Sequence, residues 1–290
     1  MFEPLQYEFF VRGLIAATLV GGLCGLIGVY IVLRRMSYIG HGLSHAIFGG
    51  AVVSYVIGIN FFIGASLWGF VSALLINQVT RRKRFIASDA AIGIVTTASF
   101  AFGIILISRY RTFTRSFDAA LFGNILGVDQ SDIYAILAMT VAAMAFIVIA
   151  YRRLLFTTFD PEVAPFYGVS TEWMDVWFSL ILAGTIVVSM QVLGVTLIAA
   201  AIVIAPITAR LLTHNFNQLI VMSTVIGAMC GFAGLYLSYY IDVSSGASIV
   251  LFSAGIFVVA LAYSTTRESL NRARSPAAKP RPLPDQAAFE

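Results

Sequence analysis

Residues 13–33 read GLIAATLVGGLCGLIGVYIVL and, after Arg34-Arg35, residues 36–57 read MSYIGHGLSHAIFGGAVVSYVI. Neither run contains Asp, Glu, Lys or Arg. A helix crossing the hydrocarbon core of a bilayer needs about 20 mostly apolar residues, so each run is long enough to span. The two arginines between them suit a turn at the water interface. Downstream the pattern recurs: a run ending at Val79 before Arg81-Arg82-Lys83-Arg84, then 90–108, 133–151, 176–209, 216–241 and 243–266. The 176–209 stretch exceeds one helix of about 17–25 residues. A break near Gln191 and Gly194 makes it two short spans, giving nine in all, or eight if it forms one tilted helix and a re-entrant piece.

Composition points the same way. Of 290 residues, 59% are hydrophobic and 11% charged, against about 25% charged in soluble domains. That excludes a water-soluble globule, a disordered chain and any large extramembrane domain. The expected fold is an all-α polytopic membrane bundle of about nine helices. The first run lacks a basic leader and a small-residue cleavage site, so it is expected to stay as a span. Cys24 and Cys230 both sit in apolar runs and imply packing rather than a disulfide framework.

The formal charge of +4 is spread between apolar runs, a topology signal and no nucleic-acid patch. Fourteen basic residues (Arg34, Arg35, Arg81, Arg82, Lys83, Arg84, Arg152, Arg153, Arg210, Arg267, Arg272, Arg274, Lys279, Arg281) fall on one side and four (Arg12, Arg109, Arg111, Arg115) on the other. The positive-inside rule then puts the amino terminus outside and the carboxyl terminus in the cytoplasm. Residues 1–268 form the membrane domain and 269–290 a cytoplasmic tail, Pro- and Ala-rich from Ser275 and expected to be disordered.

Acidic and basic residues all fall outside the spans or at their ends, leaving His41 and His45 as the ionisable groups deep in a span. Four residues apart on a helix, they share one face and can both ligate one cation. Imidazole suits zinc, iron and copper and tolerates manganese. Two imidazoles do not complete a shell of about four ligands, so Ser44, water, backbone carbonyls or another helix must add to it. Both rings could instead serve as hydrogen-bonding glue between helices. The neighbouring Gly40, Gly42, Ser44, Ala46, Gly49, Gly50 and Ala51 fit either a packing seam or a narrow path.

On the cytoplasmic side, Thr157-Thr158-Phe159-Asp160-Pro161-Glu162-Val163-Ala164 suggests a short interfacial helix. Asp160 would be its N-cap, Pro161 its first residue, Glu162 would complement the positive end, and Gly168 would stop it. No catalytic apparatus is found. Lys83 and Lys279 are the only lysines and neither lies in a phosphate-binding loop, and there is no Gly-x-Ser-x-Gly, His-Glu-x-x-His or Cys-x-x-Cys. The chain is not expected to be an enzyme or to hold a permanent cofactor, and energy must come from a partner.

These fragments together resemble the membrane permease subunits of bacterial ABC importers for manganese, zinc and iron, from about Tyr7 to Tyr263. Residues 35–46, with Ser44-His45-Ala46, resemble the family's signature helix, and Leu121-Phe122-Gly123-Asn124-Ile125-Leu126-Gly127 its outer loop. Residues 159–169 resemble its coupling helix. Val192-Leu193-Gly194-Val195, Ala205-Pro206, and Asp242 with Ser245-Gly246 are similar to further motifs. The resemblance implies an ABC importer permease fold in the bacterial inner membrane, assembled as a homodimer. It implies two cytoplasmic ATPase subunits that bind ATP and grip Phe159, Asp160, Pro161, Glu162 and Gly168, and an external metal-binding protein that delivers the divalent ion. It also implies that His45 is a pathway ligand, with Ser44 and Asp242 as further pathway candidates. The family commonly has Asp where this chain has His41, a change that shifts preference from manganese toward zinc. Two other classes remain: a proton-coupled secondary transporter with the histidines as relay, and a non-transporting scaffold.

Overall fold

The computed structural model describes residues 3–82, 88–110 and 121–274. Ten α-helices occur among them: α1 (Glu8–Leu33), α2 (Ser37–Ile57), α3 (Phe61–Arg82), α4 (Ser88–Tyr110), α5 (Gln130–Ile149), α6 (Tyr151–Phe159), α7 (Thr171–Leu193), α8 (Ile198–Leu212), α9 (Phe216–Ile241) and α10 (Ser245–Arg274). No strand occurs among the described residues. Nine of these helices answer to the nine apolar runs, and the 176–209 stretch divides at Gly194 into α7 and α8, not into one tilted helix. Seven are long and apolar enough to cross a membrane. The other two are α2, long enough but carrying two histidines and four glycines, and α8, short at 15 residues. Nine is therefore a count of helices rather than of demonstrated crossings.

The remaining helix, α6, was not expected. Only Leu154 and Thr157 are buried on it, while Arg152, Arg153, Phe156 and Phe159 are exposed. It is a short amphipathic piece bridging α5 and α7. At the other extreme, 72% of α1's apolar stretch is buried against 22% for α4 and for α5. Helix α7 is buried to the same 72%, so α1 and α7 lie at the centre of the bundle and α4 and α5 on its outside.

Lipid tails are as apolar as leucine, so helices in a bilayer hold together through close packing and satisfied polar groups. The α1–α9 contact illustrates this. A Cβ on Gly21 would fall on the Gly227 carbonyl and one on Gly227 would fall on the Gly21 carbonyl, so the backbones touch only because both are glycine. One turn on, the Ser223 hydroxyl donates to the Gly25 carbonyl at 2.6 Å. Cys24 on α1 and Cys230 on α9 are both buried and free.

Two ends of the bundle can be told apart by α1. At the leading end, where α1 begins, residues 121–127 pack onto the α7–α8 break and the start of α10. The Asn124 N–H donates to Gln191 O at 2.9 Å and the Thr196 hydroxyl to Leu121 O at 2.7 Å. Gly123 and Gly194 both have positive φ (82° and 77°) and face each other's backbone, where a Cβ on either would strike main-chain atoms. The trailing end, where α1 finishes, holds the α1–α2 turn, α6 and the starts of α7 and α9. There the Met36 N–H donates to Ile31 O and the Arg35 N–H to Val32 O, with Arg35 left-handed at φ 57°. These paired bonds close α1 in the manner usually served by glycine.

Helix α10 continues to Arg274, past the boundary expected at residue 268. Residues 275–290, and with them the expected disordered stretch, lie outside the described residues. So do Lys83, Arg84, Arg111 and Arg115, which were counted in the charge bias.

Candidate functional site

Helix α2 starts three residues after Arg34, and its first three turns carry both histidines. His41 and His45 stand one turn apart with ring centroids 4.7 Å from each other and planes at 80°. His41 is exposed in the single chain and His45 half-buried against Phe100 of α4, at 5.0 Å between centroids. Tyr38 lies beside His41 at 6.1 Å. The Nδ1 of His45 is buried and has no hydrogen-bond partner. A buried polar atom left unpaired costs about 1–3 kcal/mol; Tyr30, Trp68, Asn77 and Thr185 also carry such atoms, but only that of His45 lies beside a second imidazole. Among the described residues no three His, Cys, Asp or Glu side chains gather as a metal cluster. The pair can thus supply two nitrogen donors to an ion but not a closed shell.

The other candidates fall elsewhere. Ser44 is fully buried and its hydroxyl donates back to the His41 carbonyl at 2.8 Å, so it braces the helix next to the histidines. Asp242 is exposed and caps α9 in the left-handed conformation, φ 56°. It sits at the leading end, whereas the histidines follow the trailing-end turn, so the two are not brought together. The small residues of α2 are a packing seam: a Cβ on Gly49 would strike the Ser99 backbone of α4, and one on Gly50 would strike Trp68 of α3.

At the trailing end, Asp160 is not the N-cap of a new helix. It is the C-cap of α6, and its carbonyl accepts from the N–H groups of Val163 (3.1 Å) and Ala164 (3.0 Å). Pro161 and Glu162 form an exposed turn, a 3-10 helix covers Ala164–Tyr167 with Pro165 near its start, and Gly168 ends it at φ 72°. The helix expected over 159–169 is thus a cap, a turn and one 3-10 turn. The physical reason is that Leu154 and Thr157 bury themselves and carry helix α6 on to Phe159, which uses up Asp160 as a terminator. Phe166 is 89% exposed and Tyr167 69%, an aromatic knob on this segment. Phe159 packs edge-on to Phe216 of α9 at 5.6 Å.

One group escaped the sequence reading. Arg34, counted only as a topology charge, has a side chain 6% exposed. Its Nε donates to Thr158 Oγ1 (3.1 Å), Nη2 to Thr157 Oγ1 (2.7 Å) and Nη1 to Asp175 Oδ1 (3.0 Å), and its guanidinium lies 4.7 Å from the Phe178 ring centre. Burial pulls this guanidinium below its ordinary pKa, and the Asp175 carboxylate opposes that pull. The only cue in the sequence was an arginine pair directly after a long apolar run, with Asp175 just ahead of another.

The chain is similar to several known proteins along nearly its whole length. The manganese transport system membrane protein MntC of Halalkalibacterium halodurans is 37% identical over 270 residues, 93% of this chain and 92% of that protein. The manganese import system permease protein ScaB of Streptococcus gordonii is 35% identical, covering 92% of this chain and 95% of its own. Among solved structures, PsaBC of Streptococcus pneumoniae in complex with Fab matches with a TM-score of 0.81 at 34% identity, over 89% of this chain and 93% of that one. With residues 6–264 matching its family profile and a helical membrane bundle for a fold, the chain belongs to the ABC 3 transport family.

Proposed function

We propose that this chain is the permease subunit of an ATP-driven, binding-protein-dependent importer of a divalent transition metal ion, and that His41 and His45 meet the ion in transit. The observation that carries the site is the buried, unpartnered Nδ1 of His45 beside a second imidazole 4.7 Å away. Supporting the substrate class, relatives are named for manganese transport, and one from Haemophilus influenzae, 36% identical over 92% of this chain, for iron transport. Dehydrating a divalent ion in low dielectric is costly, and neutral imidazoles offset that cost without leaving a permanent charge in the bilayer. With imidazole at position 41 in place of a hard carboxylate, zinc and iron gain on manganese.

The trailing end is cytoplasmic in this reading and the leading end faces the external binding protein. The ATP site is on a partner subunit, and this chain performs no chemistry. The exposed Phe166 and Tyr167, on the turn led by Phe159, Asp160, Pro161 and Glu162 and closed by Gly168, dock in the ATPase. Two copies of the permease bring their exposed histidine faces to a shared path, which the exposure of His41 in one chain favours.

The test is metal accumulation in a depleted host, measured for manganese, zinc and iron. His45→Ala should abolish accumulation while ATPase co-purification is retained; wild-type uptake in that variant refutes the ligand role. Uptake that persists without the ATPase would instead favour the proton-coupled class.

A further inference from the structure

Motion at the ATPase-docking turn has to reach α2, yet the helices packed extensively on α2 are α3, α4, α7 and α8, not α6. One side chain closes the gap. Arg34 hangs from the α1–α2 turn seven residues before His41, and grips Thr157 and Thr158 immediately ahead of Phe159 and Asp160. We propose that Arg34 is the positioning residue that transmits displacement of the 159–168 turn to the histidine-bearing helix. The inference rests on the importer reading above and deepens it.

Three features fit a transmitter better than a plain staple. The guanidinium's fork is divided between two helices, α6 through the threonines and α7 through Asp175, so it senses their relative position. A planar fork with fixed donors follows its partners as a rigid body, which a lysine would not do. Directly after it, Arg35 is held left-handed at φ 57° and Met36 bonds back to Ile31 O at 2.9 Å. That turn is compact, and there is no slack loop in which a shift could be absorbed before α2 begins. The neutral hydroxyls can be released and regained without stranding a charge, because Asp175 stays paired with the guanidinium.

The experiment uses the whole complex, permease with its ATPase in proteoliposomes plus metal-loaded binding protein. It follows whichever of manganese, zinc or iron the wild type transports. Two variants are compared: Arg34→Gln, and Thr157→Val with Thr158→Val, which removes both acceptors and leaves the Arg34–Asp175 pair. Both should assemble and keep basal ATP hydrolysis, while metal moved per ATP falls about tenfold, the size of a typical coupling free energy. Thr157→Ser with Thr158→Ser keeps the hydroxyls and should keep the wild-type ratio. A wild-type ratio in both test variants overturns the proposal. Loss of ATPase association or of folded permease in both also overturns it, leaving Arg34 a structural staple. If the wild-type complex moves none of the three metals, the importer reading itself fails and the transmitter role falls with it.

Discussion

At the leading end, residues 121–127, the 191–197 break and Gly246 are stitched together chiefly by main chain: Asn124 N–H to Gln191 O, Thr196 N–H to Leu121 O, and glycines where any Cβ would collide. At the trailing end, the α1–α2 turn, α6 and α7 meet through side chains, chiefly the Arg34 fork and the Phe159–Phe216 contact. Main-chain contacts at backbone distance have one arrangement. Side-chain contacts have rotamers, and can trade partners. On this ground the leading end is expected to act as a clamp and the trailing end as a hinge.

The sharpest way to break this contrast is Gly194→Ala. Its φ of 77° and ψ of 161° lie in a region essentially reserved for glycine, and a new Cβ would strike Leu121 and Gly123 backbone. Together these cost about 3 kcal/mol or more. Thermal unfolding in detergent should show a large fall in Tm with poor yield of monodisperse protein; an unchanged Tm would remove the clamp. Arg34→Met should cost less, about 1–2 kcal/mol, since Asp175 is 33% exposed and can rehydrate. If it proves the more damaging of the two, the hinge is the rigid end. Thr196→Val deletes one bond to Leu121 O and should cost about 1 kcal/mol, read as a modest drop in Tm. The smallest effect is a gain: Arg35→Gly relieves the left-handed φ at an exposed position and, after the extra freedom of the unfolded chain, should raise stability by about 0.5 kcal/mol.

Much of this architecture was legible because a bilayer requires each spanning segment to satisfy its own backbone, so apolar length translates directly into helices. Gly194 was legible as a break for the same reason: 34 uncharged residues, 176–209, do not fit one crossing. The histidine pair stood out by being ionisable where nothing else was. Helix α6 did not, since its nine residues are too few and too polar to stand out as an apolar run, and Arg152 and Arg153 at its start read as the end of a span. Asp160 misled because aspartate starts helices better than it ends them, and the preceding packing decided otherwise. Arg34 was hidden for a different reason. Arginines after a span usually face water, and what buries this one is Thr157, Thr158 and Asp175, more than 120 residues away in sequence.

Cys24 and Cys230 lie within helices α1 and α9, 0% and 3% exposed. The folded protein thus offers almost no native target to water-borne maleimides. Glu162→Cys would carry a fluorophore or spin label at the turn after Asp160 without first stripping the sequence of its own sulfhydryls, and the proposed nucleotide-driven movement there could be watched against a dark background.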